Sequence, residues 1–256
     1  RMSDRNRFGV VAVQDQAGAE NAMGGVSQAF ADNVTILVLP RGSSLERTAV
    51  RPYFSAFNTY QSIARQVEVI ARPDMVGAVM RRAFHALRNG RPGPVVVEMP
   101  FDVCNQEVPE EGLSYRPPNI SIQVPSASHI KDAVKVLLGA SKPMIWSGMG
   151  VLLSGAAAEL RELAELTEIP VYTTMPGKSS IDERHPLALG GGSSATTLAA
   201  RQWLQESDVL FAVGSSMTRT GYGQPIPPGK VIIHNVGSLE DINKDFSVDI
   251  ALPGDA

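Results

Sequence analysis

The segment from Arg91 to Val103 constrains the fold of this chain more than any other. Its sequence is Arg-Pro-Gly-Pro-Val-Val-Val-Glu-Met-Pro-Phe-Asp-Val, a glycine- and proline-rich turn followed by an apolar run. An apolar run without polar alternation is typical of a strand buried on both faces of a parallel sheet. The residues from Pro73 to Gly90 predict a helix just before it, which proline begins and Asn-Gly ends. A helix, a tight turn and a buried strand in this order indicate an α/β fold.

The same alternation of strands and helices continues along the chain. The predicted strands are 8–13, 34–40, 65–70, 95–99, 143–148, 170–174, 208–214 and 230–234. The predicted helices are 22–31, 73–90, 128–139, 156–167 and 195–205, and residues 41–60 are predicted as a loop. In helix 128–139 we expect Ile130, Val134, Leu137 and Leu138 to form the buried face. Alternating strands and helices predict two α/β domains, each a parallel sheet in three layers, and the second domain is expected to be Rossmann-like.

A change of composition separates the two halves. Residues 106–126 contain four prolines among polar residues and show little periodicity. Such a segment is typical of a linker that runs over the surface. We therefore predict a first domain at residues 1–105, a linker at 106–126 and a second domain at 127–256.

Charge and composition exclude several classes of function. The 256 residues carry a net charge of −3, which gives no basic field for nucleic acid. The sequence lacks an apolar run of the ~20 residues that a membrane helix needs, and it shows no signal peptide. Cys104 is the single cysteine, so an internal disulfide is excluded and a cytoplasmic location is expected. The four histidines lack metal-ligand spacing, so no metal ligand is predicted within this sequence.

Several phrases of the second half stand in an order that, with the Arg91–Val103 segment, identifies a family. They are Lys142-Pro-Met-Ile-Trp-Ser-Gly, Ile169-Pro-Val-Tyr-Thr-Thr, His185-Pro-Leu-Ala-Leu-Gly and Asp208-Val-Leu-Phe-Ala-Val-Gly. Together they resemble thiamine-diphosphate-dependent enzymes of the acetolactate synthase, oxalyl-CoA decarboxylase and benzoylformate decarboxylase type. The resemblance covers nearly the whole chain and assigns it part of a pyrimidine-binding domain followed by the central domain.

The resemblance implies an activity for the parent protein. Such enzymes use thiamine diphosphate and magnesium to cleave a carbon–carbon bond of a 2-keto acid or related acyl donor, usually by decarboxylation. Their active sites lie between subunits, which implies a homodimer or homotetramer. The glutamate that activates the cofactor and the Gly-Asp-Gly metal motif are not found in this sequence. The chain is therefore expected to be a fragment that is inactive alone.

Two segments of the first half match positions near cofactor and substrate in these enzymes. The turn Gln16-Ala-Gly-Ala-Glu-Asn21 matches a family loop Gly-Pro-Gly-Ala-Thr-Asn against the aminopyrimidine ring, which assigns cofactor contacts to Gln16, Ala17, Gly18 and Asn21. Small residues let backbone approach a flat ring. A plain strand-to-helix turn is the alternative.

The second segment is Phe57-Asn58, which falls where relatives place Phe-Gln near the substrate. Asn58, or Gln61 in its stead, is expected to donate to a substrate carbonyl. The alternative is a loop whose aromatic residues only pack. Acetolactate synthases also carry a lysine shortly after this segment, and residues 65–69 contain none.

The second half resembles domains that in some relatives hold FAD or ADP. The residues expected at such a site follow predicted strands: Gly148, Gly150, Thr174, Gly177 and Gly214. Backbone amides at such turns bind diphosphates. An arginine and two acids of FAD-holding relatives are replaced by Ser216, Val236 and Ser238, so an empty or vestigial site is expected, with Gly190–Ser194 as a flexible loop. The alternatives to an enzyme are a non-catalytic homologue and a nucleotide-binding or structural module.

Overall fold

A computed structural model describes residues 7–110 and 113–256. The chain forms two compact units, one ending at Ile120 and the other beginning at Ser121. Among the described residues of the predicted linker, 106–126, there is no α-helix or β-strand.

The first unit contains a parallel sheet of four strands. The strands are β1 (Gly9–Val13), β2 (Ile36–Gly42), β3 (Gln66–Val69) and β4 (Val95–Pro100). The helices are α1 (Ala17–Ala31), α2 (Ala56–Thr59), α3 (Val76–Arg88) and α4 (Phe101–Cys104). The strand order is β1-β2-β4-β3, and every pairing is parallel. Valines of β4 point alternately to α3 on one face, through Val95 and Val97, and to α1 and α2 on the other, through Val96.

The second unit contains a parallel sheet of six strands. The strands are β5 (Met144–Ser147), β6 (Val171–Thr174), β7 (Ala188–Gly192), β8 (Val209–Val213), β9 (Val231–Val236) and β10 (Ile250–Pro253). The helices are α5 (Ala127–Gly139), α6 (Met149–Ser154), α7 (Ala157–Thr167) and α8 (Leu198–Glu206). The strand order β10-β9-β8-β5-β6-β7 is the doubly wound Rossmann order, and its direction reverses between β5 and β8. Loops after these two strands therefore meet at the switch point.

The predicted fold class is confirmed, since both sheets are parallel and have helices on both faces. Several boundaries were wrong. Helix α1 begins at Ala17 and not at Ala22, because alanines favour a helix and Glu20 lies favourably in its first turn. The 41–60 loop contains α2, and Gly190–Gly192 belongs to strand β7 and not to a flexible loop.

The buried face of α5 also differs from the prediction. Leu137 is buried together with Ala133, whereas Ile130, Val134 and Leu138 are exposed. The spacing of the large apolar side chains is compatible with burial of either of two adjacent rows on the helix surface. The row with Ala133 packs against the core, because a small side chain lets the helix approach the sheet closely.

Candidate functional site

The carboxyl edge of the first sheet gathers the residues predicted for cofactor and substrate. Gln16 is the residue before α1, and Ala17 and Gly18 form the first helical turn directly after β1. Gln16, Ala17 and Asn21 are exposed, and Gly18 is half-buried. These residues therefore present short side chains and backbone to the surface at the end of the strand.

Gln16 has an unusual backbone conformation. Its φ is 47° and its ψ is −104°, outside the regions that residues with a Cβ prefer. The family loop has glycine at the equivalent position, and glycine reaches positive φ without steric cost. Gln16 therefore carries a side chain in a backbone conformation that glycine would adopt without strain.

Helix α2 presents the predicted substrate residues. Phe57 and Asn58 are exposed, and the buried Ser55 caps the helix by accepting a hydrogen bond from Asn58 N at 3.3 Å. Gln61 Nε2 donates to Phe57 O at 2.9 Å, so this amide group closes the turn. Asn58 therefore has the more open of the two amide side chains.

Tyr60 joins the two predicted segments. Its ring is fully buried, and its hydroxyl donates to the carbonyl oxygen of Ala19 in the first turn of α1. Burial raises the pKa of Tyr60, which keeps the hydroxyl protonated as a donor. The structure therefore brings residues 16–21 and 57–61 to one region, a contact that sequence spacing does not show.

Glu98 lies beneath α2 and was not predicted as a functional residue. It is 5% exposed, and its Oε2 accepts hydrogen bonds from Phe57 N at 2.7 Å and Ser55 Oγ at 3.2 Å. A sequence signal existed, because a carboxylate that ends a run of three valines is rarely buried without a partner.

The arginines near this edge have defined partners. Arg41, at the end of β2, forms an ion pair with Asp15 at 3.0 Å, and its guanidinium lies 4.6 Å from the ring centre of Phe101. Arg65 begins the segment 65–69, which lacks the lysine expected from acetolactate synthases. Its guanidinium donates to the carbonyls of Ala86 and Asn89. Arg65 therefore closes the carboxyl end of α3.

The carboxyl edge of the second sheet is built differently. A Cβ on Gly148 would lie 2.3 Å from Gly214 O, and one on Gly150 would lie 2.5 Å from Gly214 Cα. A Cβ on Gly177 would lie 2.6 Å from Ser147 O. The glycines at the switch point therefore serve close contact between backbones of the loops themselves.

The amide groups of these glycines are also engaged. The N–H groups of Gly148, Gly150 and Gly214 donate to the carbonyl oxygens of Val213, Gly214 and Asn235 at 2.9, 2.7 and 3.0 Å. Gly177 N donates to Thr174 O at 3.0 Å and has Thr174 Oγ1 at 3.1 Å. A diphosphate would need donors that these residues already use within the fold.

Comparison with known proteins places both units in one family. The family model "Thiamine pyrophosphate enzyme, central domain" matches residues 130–256. A probable acetolactate synthase large subunit of Methanocaldococcus jannaschii is 32% identical over 97% of this chain and 44% of its own length. The acetolactate synthase large subunit of Corynebacterium glutamicum is 32% identical over 98% of the chain and 41% of its own length.

The glyoxylate carboligase of Escherichia coli O157:H7 is 32% identical over 89% of this chain and 39% of its own length. The chain belongs to the thiamine-pyrophosphate enzyme family. It spans less than half the length of these relatives, and the alignments extend over both units. The family resemblance predicted from the sequence is thereby confirmed.

The second unit lacks the acidic residues that would hold the ribose of a nucleotide such as FAD or ADP. Val236 ends β9 and Ser238 follows it, so neither of these places supplies a carboxylate to a ribose. Ser216 Oγ lies 2.9 Å from Thr218 Oγ1. The glycine amides are already engaged within the fold, which argues against a nucleotide diphosphate here. The contacts predicted for Gly148, Gly150, Thr174, Gly177 and Gly214 stay predictions.

Two further properties concern the described residues only. They contain no group of three or more His, Cys, Asp or Glu residues arranged to hold a metal ion. Within the same residues, none of the helices has both the length and the apolarity to cross a membrane.

Proposed function

We propose that the protein carrying this chain uses thiamine diphosphate and magnesium to act on a 2-keto acid or related acyl donor. The reaction would be an acetolactate synthase-like carboligation or decarboxylation. The names of the relatives support this reaction class. The observation that carries it is the contact of Tyr60 with Ala19, which joins the two segments expected near cofactor and substrate.

The first turn of α1 is the proposed contact surface for the aminopyrimidine ring. Ala17 and Gly18 have no side chain beyond Cβ, and Ala17 is exposed, so a flat ring can approach the backbone here. Gln16 and Asn21 flank this surface and are exposed. These four residues therefore fit the ring end of the cofactor.

The proposed role of α2 is to orient the substrate. The exposed amide of Asn58 is suited to donate to a carbonyl oxygen, and the donation gains strength when that oxygen becomes negative. Phe57, 37% exposed, gives an apolar surface beside it. Thiamine diphosphate, when bound, supplies a nucleophilic carbon for addition to the carbonyl. We further propose a homodimer or homotetramer as the working assembly.

The test is a steady-state assay of the whole protein with thiamine diphosphate, magnesium and a 2-keto acid, which follows carbon dioxide release and carboligation product. Asn58→Ala should lower kcat/KM by about 100-fold, the usual effect of removing a single donor to a developing oxyanion. Asn105→Ala is the matched control, because Asn105 is also exposed and lies just after α4, outside α2. It should leave kcat/KM nearly unchanged.

Two results would contradict the proposal. Wild-type protein that binds thiamine diphosphate yet turns over no 2-keto acid would indicate a non-catalytic homologue. Equal activity of Asn58→Ala and wild type would remove Asn58 from the reaction and leave the family assignment intact.

A further inference from the structure

Glu98 is a buried carboxylate that the proposed reaction does not use directly. It lies on β4, where its neighbours Val95, Val96 and Val97 are fully buried. A carboxylate in such a position needs hydrogen bonds to offset the loss of water. Among the described residues, two hydrogen bonds reach this carboxylate, and both come from one short segment, residues 55–57, which leads into α2.

The two bonds converge on a single oxygen atom. Glu98 Oε2 accepts from the Phe57 backbone at 2.7 Å and from the Ser55 hydroxyl at 3.2 Å. Ser55 Oγ in turn accepts from Asn58 N at 3.3 Å. One carboxylate oxygen thus holds the backbone of Phe57 directly and that of Asn58 through Ser55.

The neighbouring strand leaves room for this side chain. A Cβ on Gly42 would lie 2.7 Å from Glu98 Oε1 and 2.9 Å from its Cγ. Contacts below 3.0 Å are not tolerated between such atoms, so glycine at this position lets the carboxylate lie between β2 and α2. The position of the Glu98 side chain therefore depends on glycine at position 42 of the neighbouring strand.

We propose that Glu98 is a positioning residue that sets where Phe57 and Asn58 stand at the carboxyl edge of the first sheet. This role rests on the proposed function only where it concerns turnover. Since Oε2 alone accepts both bonds, a side-chain amide oxygen at the same place can replace it. Methionine has similar length but accepts weakly, so Glu98→Met removes the clamp and Glu98→Gln retains it.

The first test measures amide hydrogen exchange of the 256-residue chain and does not depend on catalysis. In Glu98→Met the Phe57 amide should exchange about tenfold faster or more, and in Glu98→Gln its rate should stay near that of wild type. Asp102→Leu is the matched control, because leucine has a similar size and accepts no hydrogen bond. Asp102 accepts from Leu45 N at 3.0 and 3.1 Å, so its loss should affect that amide and not Phe57. An unchanged Phe57 rate in Glu98→Met overturns the clamp.

The second test uses kinetics of the whole protein. Glu98→Met should lower kcat about tenfold or more, since small misplacements of a positioning group are costly, while the affinity for thiamine diphosphate stays the same. Glu98→Gln should restore kcat. On an Asn58→Ala background, Glu98→Met should have little further effect, because both changes remove the same contact.

The outcomes separate the two proposals. Fast Phe57 exchange with unchanged kcat overturns the positioning role and leaves the reaction standing. A wild-type protein without turnover overturns the reaction, and the exchange rates then decide the clamp. If Glu98→Met fails to fold, Gly42→Ala gives the same comparison, since its methyl group displaces the carboxylate.

Discussion

The loops at the carboxyl ends of the two sheets differ in the surroundings of their small residues. At the first sheet, Ala17 and Asn58 are exposed. The buried Tyr60 connects the two segments that carry them through its hydrogen bond to Ala19. At the second sheet, Gly148 and Gly214 face each other so closely that no Cβ would fit between them. One edge leaves its small residues exposed, and the other uses them to close its own loops.

This difference shows that glycine after a strand has two physical uses. A glycine-rich turn at a Rossmann switch point usually leaves amides for a phosphate. Here the amides of Gly148 and Gly150 donate to backbone carbonyls, and their missing side chains make room for Gly214. A motif predicts a ligand only when its donors are still available in the fold.

The largest expected effect on stability comes from adding one methyl group between the loops of the second sheet. Gly214 has a φ of 61°, and a Cβ there would lie 2.5 Å from Val151 N. Gly214→Ala combines backbone strain with overpacking and should lower the free energy of unfolding of the second unit by about 3 kcal/mol or more. Urea unfolding followed by tryptophan fluorescence measures this, because both tryptophans, Trp146 and Trp203, lie in the second unit.

Gly155 provides the control for this measurement. Its φ of 73° is similar, but a Cβ there would have no atom within 4 Å. Gly155→Ala should therefore cost only the backbone strain, about 1 kcal/mol. Equal destabilisation by the two variants would show that the contact between the loops is unimportant, and the contrast between the two edges would fail.

The sequence predicted the strands better than the ends of the helices. The run Val95-Val-Val is apolar because β4 is buried on both faces, so its composition alone reveals it. Strand β7 has no such signal, because Ala188–Gly192 is mostly glycine and pairs with β6 through a shifted register. The start of α1 was missed because Gln16-Ala-Gly-Ala also suits a turn.

The candidate site was predictable in its residues but not in its contacts. The positions of Asn58 and Gly18 came from matching family phrases. The bond between Glu98 and Ser55 joins residues 43 positions apart, and that between Tyr60 and Ala19 joins residues 41 apart. No local pattern encodes such pairs, since they arise only when β4 and α1 are packed against α2.

A smaller effect is expected from acid at the second sheet. His234 is fully buried, its Nε2 donates to Ser215 O at 2.7 Å, and its Nδ1 has no hydrogen-bond partner among the described residues. Burial lowers the pKa of His234, although the carbonyl of Ser215 and the nearby Asp241 oppose this. Protonation would place a charge on a nitrogen without an acceptor.

The direction in which His234 changes stability with pH follows from proton linkage. Below the ordinary histidine pKa of about 6.5 the unfolded chain takes up a proton that the native side chain refuses. Stability of the second unit should therefore fall as the pH decreases from there, by at most about 1.4 kcal/mol per pH unit from this group. His234→Gln should flatten this slope in tryptophan-monitored unfolding, whereas His129→Gln, at an exposed position, should not. The same slope in all three proteins would contradict the assignment.

The smallest effect is expected at the carboxyl edge of the first sheet, where the backbone strain of Gln16 does not come from close contact between loops. Gln16 has a positive φ of 47° at the place where the family loop carries glycine. Gln16→Gly should relieve the strain and stabilise the first unit by about 1 kcal/mol, less the entropy that glycine gains in the unfolded chain. The first unit has no tryptophan, so the measurement is hydrogen exchange of the amides in β2 and β4. Gln14→Gly, just after β1 and without a positive φ, should be neutral or destabilising, and stabilisation by both would show that the backbone of Gln16 is not strained.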